Sequence, residues 1–144
     1  MSTALPLEPR APGAASTALE DPRTRQLDPV LARMVLAGRL SAEILDALVP
    51  FVQPGVTTSA IDDLVRTMML DGGGIPATLG YRGFTHSCCT SINHVVCHGI
   101  PDDKPLRDGD IVNIDVTLVV DGWHGDSSRM YTVGEVNRKA ERLI

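Results

Sequence analysis

Asp121-Gly122 lies between two runs rich in β-branched and apolar residues, Asp110 to Val120 and Trp123 to Val133. Asp-Gly is a strong signal for a two-residue β-hairpin loop. With that loop, Val120 stands opposite Trp123 and Thr117 stands opposite Asp126. Side chains alternate along a strand, so Asn113, Asp115 and Thr117 share one face. Val112, Ile114, Val116 and Leu118 share the other. The first run is so continuously apolar that it reads as a buried strand. A polar stripe on such a strand must be paired or must bind something.

The register places Asp115 diagonal to Asp126 on one face, with backbones roughly 7–8 Å apart. Two carboxylates at that range can reach a common cation, or a metal pair roughly 3.5–4 Å apart. The same spacing equally suits acids that cap turns or pair with buried arginines. A one-residue slip would send the two to opposite faces.

Other residues invite chemistry with less support. His98 follows a strand pattern and precedes the rigid turn Gly99-Ile100-Pro101. It can be aimed into a cleft to orient a substrate or move a proton, or simply bond to backbone at the turn. His124 shares the strand face of Asp126 and suits a metal ligand or a partner of one. Its place beside the hairpin tip equally suits solvent. His86 and His94 have no partner at a telling spacing and read as surface or turn residues. Cys89 and Cys97 carry no thiol-protease signature and read as buried, inert cysteines.

Residues 1–27 are rich in Pro, Ala, Ser and Thr, lack periodicity and read as a flexible tail, with Pro-x-x-Pro spacings that could serve as polyproline ligands. Asp28 to Phe51 has helical spacing behind an Asp N-cap and a first-turn Pro29. Thr57 to Asp71 reads as a second helix, capped by Thr58 or Ser59 and stopped by Gly72-Gly73-Gly74. That glycine run lacks the Lys-Ser/Thr of a phosphate loop. Cys88 to Val96 reads as a strand, and Arg138 to Ile144 begins a helical pattern. Helices followed by a hairpin sheet give an α+β domain.

A chain of 144 residues with 43% hydrophobic residues can bury one core. A net charge of -5 argues against a nucleic-acid footprint, and 3% aromatics leave no stacking platform for bases. Three cysteines are too few for a disulfide framework, which favours a reducing, cytoplasmic compartment. No apolar run is long enough to span a bilayer, and no secretory signal is evident.

The segments TLGYRGFTHSCCTSINHVVCHGIPDD and LRDGDIVNIDVTLVVDGWHGDSSRMYTVG closely resemble bacterial type I methionine aminopeptidases, with the match running from about Asp28 to Ile144. The resemblance implies the first half of a pita-bread fold, helices on a mostly antiparallel sheet, with residues 28–144 as the N-terminal half of a catalytic domain. It implies hydrolytic removal of the initiator methionine from nascent chains at the ribosome, by a monomer, with a small second residue preferred.

It also implies two divalent ions, of cobalt, manganese, iron, zinc or nickel. Asp115 matches a carboxylate that chelates one ion, and Asp126 one that bridges both. His98 matches a histidine that contacts substrate and stabilises the reacting peptide bond. Tyr81, Phe84 and Cys89 match positions around the methionine side chain, and His124 matches a residue that is not a ligand. Arg82 and Thr85-His86 depart from the family around that pocket. The family's remaining ligands, one His and two Glu, lie in the half not matched here, so the 144 residues alone are expected to be inactive. The alternative is a non-catalytic pita-bread relative that binds peptides or proteins.

Overall fold

The structure, a computed structural model, describes residues 28–144. The tail expected over residues 1–27 lies outside the described residues.

Helix α1 spans Pro29–Leu48, with the Asp28 carboxylate accepting from the Val30 amide at 2.8 Å. It stops three residues short of the predicted Phe51: Val49 still has helical backbone, but Pro50 has no amide hydrogen to continue the ladder. Helix α2 spans Thr58–Asp71 and ends at Gly72. Its cap is Thr57, whose hydroxyl accepts from the Ala60 amide at 3.1 Å, and not Thr58 or Ser59. Thr58 is spent elsewhere: its side chain is buried against a distant loop.

Strand β1 is Ile75–Pro76, β2 is Cys89–Ile92, β3 is Ile111–Val120 and β4 is Trp123–Thr132, followed by the short helix α3, Arg138–Glu141. All strand pairs are antiparallel. β3 is central, with β4 along one side and β1 and β2 in succession along the other. β2 is shorter than predicted. Asn93 turns out at φ 51 instead of continuing the strand, while its side chain bonds the Ile111 amide and the Asp110 carboxylate. Val96, expected within that strand, is 93% exposed.

The hairpin has the predicted register, Val120 opposite Trp123 and Thr117 opposite Asp126. Val112, Ile114, Val116 and Leu118 are fully buried beneath α1 and α2, beside Ile44, Leu48, Ile61 and Val65. Each such side chain contributes about 1.5–3 kcal/mol by leaving water. The opposite face, with Asn113, Asp115 and Thr117, is only half-buried. Among the described residues β3 is therefore fully buried on one face only, with the expected polar stripe on the other. Its alternate positions are apolar for only one covering layer.

Helix α1 is tied to β4 by polar contacts as well. The Tyr131 hydroxyl donates to the Leu45 carbonyl at 2.7 Å, and Arg129 pairs with Asp46 at 2.7 Å.

Candidate functional site

The open face of the sheet carries the two aspartates. Asp115 lies opposite Cys89 of β2 and opposite Ser128 of β4. Asp126 lies opposite Thr117, whose hydroxyl donates to its carboxylate at 3.1 Å. The pair is thus diagonal, and close enough for Asp126 to act on the Asp115 carboxyl. Burial raises the Asp115 pKa above the usual carboxylate value, and the charge and hydrogen bonding of Asp126 push it the same way, against the pull of His98. Neither acid is an isolated turn cap, and neither pairs with an arginine in the described ion pairs. Two close carboxylates, Asp115 half-buried and Asp126 exposed, form an arrangement that a cation relieves.

His98 reaches this region through an unusual backbone conformation, φ 54. Its segment folds back on β2: the Thr90 amide donates to the Gly99 carbonyl at 2.8 Å, and the Gly99 amide donates to the Ser91 hydroxyl at 3.1 Å. A Cβ on residue 99 would overlap the Thr90 carbonyl, so only glycine permits this approach.

His98 lines a cleft of about 640 Å³ together with Tyr81, Phe84, Cys89, Thr117 and His124. Tyr81 stands at the mouth, 64% exposed, with the Arg82 guanidinium 5.5 Å from its ring centre. Phe84 is half-buried, its ring edge-on to His86 at 6.0 Å. Four residues distant in sequence from the hairpin, Tyr81, Phe84, Cys89 and His98, therefore surround one cavity beside the aspartates.

The thiols fit the inert reading only in part. Cys88 and Cys89 are buried, but Cys97 is exposed, and all three are free. Burial, reinforced by Asp115, pushes the Cys89 thiol up to about 11, so it stays protonated at neutral pH and is a poor nucleophile. His124 is exposed as expected at the hairpin tip, yet it also borders the cleft. His94 is exposed at a turn, while His86 is half-buried with its carbonyl bound by Thr78.

Sequence reasoning did not single out Asp62, a buried carboxylate of α2. It accepts the backbone amides of Ser87 and Cys88 at 2.7 and 2.9 Å. Nothing local signals a bond across 25 positions.

A stability prediction follows from the Asp115 shift. A folded-state pKa above the unfolded value means that the fold favours the protonated acid. That contribution is complete below the unfolded pKa of 3.8 and is lost as pH rises through the folded value. At neutral pH the ionised group is a burden on the metal-free chain. Asp115→Asn is expected to raise its Tm by about 2 °C near pH 7. The gain should shrink as pH falls through the folded value and vanish below the unfolded 3.8. Thermal melts in chelator across that range check this, and an Asn variant no more stable at neutral pH would refute it.

The family model for metallopeptidase family M24 matches residues 32–144. The methionine aminopeptidase of Rickettsia prowazekii is 58% identical over 112 residues, covering 78% of this chain and 43% of that protein. That of Escherichia coli is 50% identical over 115 residues, covering 78% and 44%. The crystal structure of the Rickettsia prowazekii enzyme superimposes with a TM-score of 0.78 at 57% identity, over 79% of this chain and 46% of that one. The chain thus spans less than half the length of these relatives.

Proposed function

The chain belongs to metallopeptidase family M24, with part of that family's α+β pita-bread-like fold, and on that footing we propose that residues 28–144 form the N-terminal part of a methionine aminopeptidase catalytic domain. The reaction is hydrolytic removal of the initiator methionine from a nascent chain, with a small second residue preferred. The observation that carries this reading is the diagonal pair Asp115 and Asp126 on the sheet face that borders the cleft of His98, Tyr81, Phe84 and Cys89.

In this reading Asp115 and Asp126 hold divalent cations. An acid whose proton affinity is raised by burial and by a neighbouring carboxylate fits that task, since a cation offsets the repulsion between the two. When bound, such ions polarise a scissile carbonyl and supply an activated water. His98 donates to the reacting peptide bond. Tyr81 and Phe84 flank an apolar side chain, and the protonated Cys89 adds a small, polarisable wall. Oxygen ligands accept several metals, so cobalt, manganese, iron, zinc and nickel all remain candidates. The three free cysteines favour a reducing compartment such as the cytoplasm; a monomeric state and action near the ribosome belong to the methionine aminopeptidase reading itself.

Two carboxylates do not complete a two-metal site. Among the described residues no group of three or more His, Cys, Asp or Glu side chains could hold a metal ion. The 144-residue polypeptide by itself is therefore inactive in this reading.

The test is a chimera in which residues 28–144 replace the matching segment of the Rickettsia prowazekii enzyme. Metal-dependent hydrolysis of a Met-Gly peptide is expected from the chimera and none from the 144-residue chain. A folded chimera without turnover would overturn the assignment. Clear activity of the chain alone, abolished by Asp126→Asn, would overturn its inactivity.

A further inference from the structure

Helix α2 contributes nothing to the lining of the cleft, yet two side chains near its N-terminus grip both walls. Asp62, 7% exposed, accepts at one oxygen from the amides of Ser87 and Cys88. Those residues lead directly into Cys89 and follow Phe84. One helical turn earlier Thr58, 1% exposed, accepts the Asp102 amide at 2.8 Å and donates to the Asp102 carbonyl at 3.1 Å. The Ser59 amide donates to that same carbonyl at 2.9 Å. Asp102 closes the segment that carries His98 and Ile100.

Residues four apart on a helix lie on one face. A single rigid turn therefore holds the Phe84–Cys89 wall with one side chain and the His98–Ile100 wall with the other. Neither side chain is needed to cap the helix, because Thr57 does that. The Ser87 and Thr90 hydroxyls nearby are buried without a hydrogen-bond partner, so Asp62, with Thr78 on the His86 carbonyl, supplies the polar side-chain anchors of that wall.

We propose that Thr58 and Asp62 are positioning residues that tie both cleft walls to one helix and, together with the direct Thr90–Gly99 bond between the walls, fix the pocket between Cys89 and His98. The inference relies on the methionine aminopeptidase reading only in treating the cleft as a substrate site. Its test needs no substrate and no metal, so its failure and that of the chimera are distinguishable.

The measurement is residue-resolved amide exchange in the full chain, with iodoacetamide labelling of Cys89 and Cys97. Asp62→Ala should speed exchange at Ser87 and Cys88, and alkylation of Cys89, by about tenfold or more. The β3–β4 hairpin and the exposed Cys97 should be unaffected. Thr58→Val should loosen the backbone around Asp102 alone. Asp62→Asn, which keeps the accepting oxygen, and Thr58→Ser, which keeps the hydroxyl, should restore protection. Unchanged exchange would overturn the proposal, and so would uniform loss through α1 and the hairpin. If Asp62→Ala yields no folded chain, Thr58→Val decides: loss confined to the His98 wall supports the proposal, and uniform or absent loss overturns it.

Discussion

Gly125→Ala is expected to destabilise the domain by about 3 kcal/mol, at or above the upper end of ordinary overpacking. Gly125 sits on β4 opposite the buried Leu118, on the face covered by α1. A Cβ there would overlap the carbonyl group of Ala37 and stand 2.9 Å from the Gly38 nitrogen. These are backbone atoms of a helix, which cannot rotate away as a side chain does. The helix must move as a unit, and it is also fixed to β4 through Tyr131 and Arg129. Gly125 immediately precedes Asp126, so the shift reaches the site as well.

Gly38 supplies the control. A Cβ added to it meets nothing within 4 Å, and it lies inside α1. Gly38→Ala should therefore stabilise by about 0.5–1 kcal/mol, through helix propensity alone. The same substitution at two touching positions is thus expected to act with opposite signs. Urea unfolding measures both, and a Gly125→Ala midpoint equal to the parent would refute the close-approach account.

Asp126→Asn is expected to lower metal-dependent turnover of the chimera by more than about 100-fold. Loss of a group that merely supports a metal ligand already costs roughly 10–100-fold. Asparagine keeps the size of the side chain but removes its charge and one accepting oxygen. Thr117→Val provides the graded comparison, since it removes only the hydroxyl bound to Asp126 at 3.1 Å. It should fall within roughly 10–100-fold and recover partly at high metal concentration. An Asp126→Asn chimera with more than about a tenth of parental turnover would remove Asp126 from the ligand set.

The legible parts of this protein are those governed by short-range rules. The Asp121-Gly122 loop and the period of two set the register of twenty residues, and with it the diagonal of Asp115 and Asp126. The Asp28 cap, Pro29 and the triple glycine marked helix ends to within a few residues. Errors arose where a local signal had a competitor. Thr57, Thr58 and Ser59 are chemically near-equivalent as caps, and only the distant Asp102 backbone separates them. Val95 and Val96 favour a strand, but Asn93 closes a turn onto Asp110 first.

By itself, then, the sequence determined the hairpin, its two unlike faces and the pairing of the acids, because turn geometry and strand alternation act over neighbouring residues. Tertiary structure alone decided that His98 takes a left-handed backbone against β2, that Asp62 anchors the opposite wall, and that Gly125 must lack a side chain. Each of those depends on backbone segments meeting across long stretches of chain. Close approach is a property of the packed volume, and it leaves no period or motif in the order of the residues.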